Sequence, residues 1–243
     1  MQYKFRIIVT IHTGLYSYKC FFVCNSFLFP LLYLYRAVYI GNKQNNFWNG
    51  DNQVANKSKK EQIIQVASGL FNQQGIRGTG VDQVVAESQV AKMTLYNHFP
   101  SKDELVLSYL KRQNEEWMGW FKSSVDSRGG TSQERLLAVY DVLGEWFAEP
   151  DFTGCAFIKA ASEFSDSSHP YHKAAHQYKT YLREYIAELA AQCDFRQPTT
   201  VSNTLYLLLE GAITANMLET DRESALHARE AAEILIERFS ETS

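Results

Sequence analysis

Residues 79–105, TGVDQVVAESQVAKMTLYNHFPSKDEL, concentrate lysines, hydroxyls, an amide and an imidazole at a spacing that presents them together. A short helix over 91–99 puts Leu95 and Phe99 on one side with Val90 beside them, because positions four apart share a face. Lys92, Met93, Thr94, Tyr96 and Asn97 then point largely outward, with His98 at the end. Such a face suits the DNA major groove: Lys and Asn address base edges, while Tyr, Thr and His address phosphates. Lys102 falls in the first turn of the next helix, where free backbone N–H groups and the helix dipole already favour a phosphate. Thr79, at the start of the segment, completes the predicted DNA-contacting set.

The elements that must hold these residues are also legible. Thr79 is predicted to cap the first helix, with Asp82 in the return position of a capping box. Val81, Val84 and Val85 supply an apolar stripe on the core side. Ser88-Gln89 is the turn, and Pro100 stops the second helix. Ser101 begins a third, with Glu104 as its capping partner. Upstream, residues 58–74 form an amphipathic helix with Ile63, Ile64, Ala67, Leu70 and Phe71 on one side. Ser58 and Glu61 make its capping box, and Gly75-Ile76 is a Schellman-type stop.

Lys92, Thr94-Leu95-Tyr96, His98-Phe99, Ser101-Lys102 and Glu104-Leu105 resemble the DNA-binding domain of TetR-family regulators. The resemblance is close over about residues 57–112 and holds only in outline downstream. Three positions depart from the family pattern. Gln89 stands where the family prefers glycine in the turn, Ala91 where it prefers serine, and Met93 where a small residue is common. Gln89 must take any positive φ the turn requires, at roughly 1 kcal/mol. Ala91 offers no side-chain cap, which forfeits roughly another 1 kcal/mol.

Composition frames the reading. The 243-residue chain has a formal net charge of −3, which argues against a uniformly basic coat. The distribution is uneven: residues 1–55 carry roughly +4, residues 56–112 roughly +3 and residues 113–243 roughly −10. A basic reading head on an acidic body lets one end alone touch phosphates. Cys20, Cys24, Cys155 and Cys193 give no disulfide framework and read as reduced cytosolic thiols. Zinc-ligand spacing, a phosphate-cradling glycine loop and a nucleophile elbow are all missing from the sequence, so neither an enzyme nor a cofactor is expected.

Residues 1–53 are of another kind, crowded with Tyr and Phe and poor in acids. The uncharged run at residues 20–35, CFFVCNSFLFPLLYLY, is shorter than the about 20 apolar residues a transmembrane helix needs. Asn25, Ser26 and Pro30 also interrupt it, and no clear signal-peptide cleavage site follows. The favoured expectation is an aromatic-rich extension that is disordered or not native, the native start lying at Val54; a membrane anchor or accessory tail is the alternative.

The body reads as helical throughout. Helices are expected over residues 101–125, 131–149, 155–164, 168–192, 198–219 and 222–239. Leu205, Leu208, Ala212 and Ala215 recur at three-four spacing, as do Ala225, Ala228, Ala232, Leu235 and Phe239. These narrow, alanine-rich seams predict pairing with a twofold copy as a four-helix bundle; packing on their own subunit is the other reading. The family resemblance favours the first, since its usual dimer uses the last two long helices. It also implies an effector cavity among the middle helices. The expected lining is Trp117, Phe121, Tyr140, Trp146, Phe147, Phe157, Phe164 and Tyr178, with Glu163 or Asn203 as a polar handle. Large aromatics at helical spacing are more often plain core. His172 and His176 lie one turn apart, with His169 before them, but one-helix histidines are usually solvated and no metal is expected.

The expected architecture is all-α: an extension over 1–53, a helix-turn-helix domain over 54–105 and an effector-binding and dimerisation domain over 106–243. The expected function is a cytoplasmic, ligand-responsive repressor that binds a near-palindromic DNA operator as a homodimer, with an unknown small-molecule effector and no membrane partner. A TetR-like activator and a membrane-tethered helical interaction protein are the alternatives.

Overall fold

The computed structural model describes residues 58–218 and 223–240, together with two short strands near the start of the chain. Those strands, β1 (Thr10–Ile11) and β2 (Gly14–Leu15), pair antiparallel. The chain divides into compact units at Met1–Gln53 and Val54–Ser243. The expectations for residues 1–53 otherwise lie outside the described residues.

The described part of the second unit is all-α. Its order is α1 (Lys59–Gly78), α2 (Val81–Ser88), α3 (Lys92–His98), α4 (Lys102–Asp126), α5 (Ser132–Phe147), α6 (Ala156–Glu163), α7 (Pro170–Ala190), α8 (Pro198–Leu218) and α9 (Ser224–Phe239). Local chemistry sets four of these starts. Ser58 and Ser101 each accept from the amide three residues on, Glu61 and Glu104. Thr131 and Glu134 close a full capping box at the head of α5. Pro170 occupies the first turn of α7, with a ring nitrogen of His169 accepting from the Tyr171 amide. This helix begins two residues later than the sequence suggests, because Asp166 takes the Ser168 amide and hydroxyl into a local turn.

The stop expected at Gly75 is a break inside α1. Gly75 adopts φ 79° and ψ 167°, and one more helical turn follows before Thr79. The head, α1 to α3, packs on the start of the long α4, and α4 continues into the body.

Aromatic packing fills the body. Trp117 stacks on Phe121 with ring centroids 4.6 Å apart, and meets Trp146 at 5.2 Å. Trp146 and Phe147 both contact Phe152. Such pairs contribute about 0.5–1.5 kcal/mol each beyond the area they bury. Tyr140 of α5 ties the α8–α9 hairpin to the body by donating to the Leu205 carbonyl at 2.7 Å, and within the hairpin Ser224 donates to the Ala212 carbonyl at 2.9 Å. Lys179 and Glu210 form an ion pair between α7 and α8 at 2.7 Å. Among the described residues, no helix is long and apolar enough to cross a membrane.

Candidate nucleic-acid interface

The turn between α2 and α3 carries the departures noted in the sequence. Gln89 closes α2 in the left-handed region at φ 53°, alone among the described non-glycine residues. The strain is held by neighbours. Gln62 of α1 donates to the Ser88 carbonyl at 2.7 Å, and the Ser88 hydroxyl donates back to Val84. Ala91 caps α3 without a side-chain bond, as its chemistry requires.

Val90, Leu95 and Phe99 are buried against the head. The opposite face of α3 carries Lys92, Met93, Tyr96, Asn97 and His98, all exposed, with Thr94 half-buried. Met93 is 71% exposed. The outward set is therefore presented together on one short helix.

Thr79 requires a correction. It does not cap α2: Gly80 holds that position and makes no side-chain cap bond. Thr79 is 1% exposed, and its hydroxyl donates to the Gly75 carbonyl at 2.8 Å. The hydroxyl is therefore spent inside the fold, away from any phosphate.

Two lysines are held within the head. Lys92 pairs with Asp82 at 2.6 Å; that hydrogen bond and the carboxylate charge keep its ammonium above the ordinary lysine range. Lys102 is half-buried, and its Nζ donates to the Ile76 carbonyl at 2.7 Å. An ammonium carries more than one donor, so this bond does not exhaust it.

Sequence reasoning missed the joint between head and body. Glu163, at the end of α6, accepts from the amides of Ile76 at 3.0 Å and Arg77 at 2.7 Å. Lys159 donates to the Asn72 carbonyl at 3.0 Å. The Arg77 guanidinium lies over the Phe164 ring, and Tyr171 donates to Asp103. Phe164 and Glu163 therefore belong to the joint, correcting their assignment to an effector pocket, and Asn203 is on the surface. The pairs lie 86 and 87 residues apart, beyond any local pattern.

Of the other predicted pocket residues, Phe121, Tyr140 and Phe147 are wholly buried core. Trp117, Trp146 and Phe157 are nearly so, and Tyr178 packs on Phe157 half-buried. A different set of polar groups stands out there. Among the described residues, Gln113 Nε2, Asn114 Oδ1, Trp117 Nε1 and both side-chain polar atoms of Asn216 are buried without a hydrogen-bond partner.

The seams on α8 and α9 divide. Leu205, Ala212, Ala228 and Ala232 are buried within this subunit, because the hairpin needs them against its own neighbours. Leu208, Ala215, Leu235 and Phe239 are half-buried. The large exposed apolar residues are instead Leu207, Leu218, Leu226 and Ile234. An open groove of 410 Å³ runs between the helices, lined by Leu207, Leu208, Gly211, Ala215, His227 and their neighbours.

Two family models match the chain. Residues 63–109 match the bacterial regulatory proteins of the tetR family, and residues 132–232 match the tetracyclin repressor-like C-terminal domain. The chain is 25% identical over 182 residues to the HTH-type transcriptional regulator YjdC of Escherichia coli, covering 75% of this chain and 95% of YjdC. It is 24% identical over 182 residues to the HTH-type transcriptional regulator LmrA of Bacillus subtilis, covering 74% and 97%. Among solved structures, SCO4454, a TetR-family transcriptional regulator from Streptomyces coelicolor, superposes with a TM-score of 0.68 at 27% identity, covering 75% of this chain and 96% of that one.

Proposed function

Because the chain belongs to the TetR family of DNA-binding transcriptional regulators, we propose that it is a cytoplasmic repressor, binding a near-palindromic operator as a homodimer and released by a small-molecule effector. The observation that carries the DNA reading is the single outward face of α3, with Lys92, Met93, Tyr96, Asn97 and His98 exposed side by side. In a dimer, two copies of α3 enter successive major grooves about one helical turn, roughly 34–36 Å, apart. Lys92, Thr94 and Asn97 address bases, and Tyr96, His98 and Lys102 address phosphates.

The exposed apolar row on α8 and α9 supports a twofold interface, since four large apolar side chains there are left uncovered by this subunit. Leu208, Ala215, Leu235 and Phe239 flank it, and small residues such as Gly211 and Ala215 allow close helix approach. The buried, unpartnered polar atoms of Gln113, Trp117 and Asn216 support an effector site in the body. Unpaired buried polar groups cost about 1–3 kcal/mol each, so a planar guest with polar edges gains by meeting them. Effector binding and DNA binding are then coupled by about 1–3 kcal/mol, reciprocally. The boundary between head and body lies near residue 105, within α4.

Selection of bound DNA from a random pool with the full chain tests this reading. A near-palindromic site is expected. Failure to enrich any sequence above non-specific background would overturn it.

A further inference from the structure

The ion pair between Asp82 and Lys92 sits on the face assigned to DNA, and nothing in the fold requires it. The two groups are 2.6 Å apart, yet their side chains are 57% (Lys92) and 81% (Asp82) exposed. Pairs this open contribute little to stability. Lys92 also occupies the first turn of α3, where the helix dipole disfavours a cation. Asp82 lies in the first turn of α2, where the same effect favours an anion. An acid on a DNA-contacting face repels phosphate, so its position there needs a reason other than affinity.

We infer that Asp82 is a positioning residue for base recognition: it holds the Lys92 ammonium over the major-groove edge of one base pair in each half-site, and that base is guanine. The inference rests on α3 being the groove-entering helix, as proposed above. A free lysine has a flexible four-carbon stem and finds the nearest phosphate as readily as a base. Pinned to Asp82, its ammonium has fewer accessible positions, while on this exposed side chain its remaining N–H groups stay free to donate. The O6 and N7 acceptors of guanine are the strongest major-groove match for such a donor. Other bases are penalised twice. Thymine and adenine each offer Lys92 a single acceptor there, and a lysine that left Asp82 would strand the carboxylate beside the backbone.

The pairing has a distinctive consequence. Removing the Asp82 charge should strengthen DNA binding in general while weakening its selectivity, whereas a merely structural role would lower both. The test uses random-pool selection and salt-dependent binding with wild type, Asp82→Asn, Lys92→Ala and the double variant. In wild type, one position per half-site is expected to favour guanine by about tenfold or more. Asp82→Asn should lose that preference and keep the others. Its affinity for unrelated DNA should rise, and its salt dependence should steepen by about one unit as Lys92 moves to a phosphate. In the Lys92→Ala background, Asp82→Asn should change no base preference. Asp82→Glu, which retains the charge, should restore part of the selectivity.

Wild-type selection with unchanged base preferences in Asp82→Asn overturns the pairing and leaves the DNA-binding reading standing. So does an equal change in Asp82→Asn with and without Lys92. A wild-type chain that selects no DNA overturns both together. Thermal melting of each variant shows whether the head remains folded; a folded Asp82→Asn protein that has lost affinity for all DNA also counts against the inference.

Discussion

Glu163 Oε2 accepts the backbone amide of Arg77 at 2.7 Å, across the joint between body and reading head. The same carboxylate takes the Ile76 amide at 3.0 Å. Both amides follow the break at Gly75, where the helix can no longer supply their partners. The body therefore supplies the hydrogen bonds that the head lacks at this point. A side chain at Gly75 would meet Glu163 Oε1 at 2.9 Å and would have to adopt φ +79°, so glycine is required there on two counts.

Glu163→Ala should destabilise the protein by about 1–3 kcal/mol, the range for losing charge-assisted bonds and stranding their donors. Hydrogen exchange at Ile76 and Arg77 should accelerate more than elsewhere in α1. DNA affinity should fall as the head loses its fixed angle to the body. Unchanged exchange at those two amides would show that the joint does not depend on this carboxylate.

Lys102 is proposed to combine two tasks. Its bond to the Ile76 carbonyl fixes the start of α4 against α1, and its place in the first turn of α4 suits a phosphate. Lys102→Ala should weaken binding to all DNA sequences alike and flatten the salt dependence by roughly one unit. It should also lower thermal stability. Full affinity with an unchanged salt slope would remove Lys102 from the phosphate contacts.

The balance of what the sequence discloses follows from range. The outward face of α3 is legible because Leu95 and Phe99 mark its buried side within one turn, and Pro100 marks its end. The caps at Ser58, Ser101 and Thr131 are local patterns reaching three residues along the chain, although only Thr131 closes the expected capping box and Glu61 turns to Arg112 instead. Thr79 misleads because its burial depends on the break at Gly75 and on how α1 packs. Glu163 reads as a pocket handle because no local pattern points to partners 86 residues away. On α8 the run Leu207-Leu208-Leu209 makes every face apolar, so periodicity alone cannot say which side faces the subunit and which faces out.

Gln89→Gly should stabilise the head by roughly 1 kcal/mol, because glycine adopts φ 53° without the Cβ penalty that glutamine bears. Part of the gain is lost to the greater freedom of glycine in the unfolded chain. Denaturant melting of the two proteins checks the sign. A less stable glycine variant would mean that the Gln89 side chain supplies a compensating contact.

Leu207→Glu tests the outer face of the hairpin. Leu207 is 67% exposed, so a charge there costs this subunit little. Two such charges facing each other across a twofold axis would be desolvated and repel. The variant should remain folded, run as a monomer at micromolar concentration in light scattering, and bind the operator far more weakly. A folded dimer with wild-type affinity would place the interface elsewhere.

Asn216→Leu separates stability from response. Asn216 is 6% exposed, and neither polar atom of its side chain has a hydrogen-bond partner. Leucine has the same branching and no polar group to desolvate, so the variant should gain up to about 1–3 kcal/mol by the usual cost of such a group, less what its greater bulk costs in packing. If the amide is retained for an effector, the stabilised protein should hold DNA as well as wild type and no longer release it in cell extract containing the effector. The two readouts move in opposite directions, which a simple packing defect cannot produce: a cavity or clash at this position would lower stability and leave release intact. A destabilised variant that still releases DNA would therefore show that Asn216 serves the fold alone.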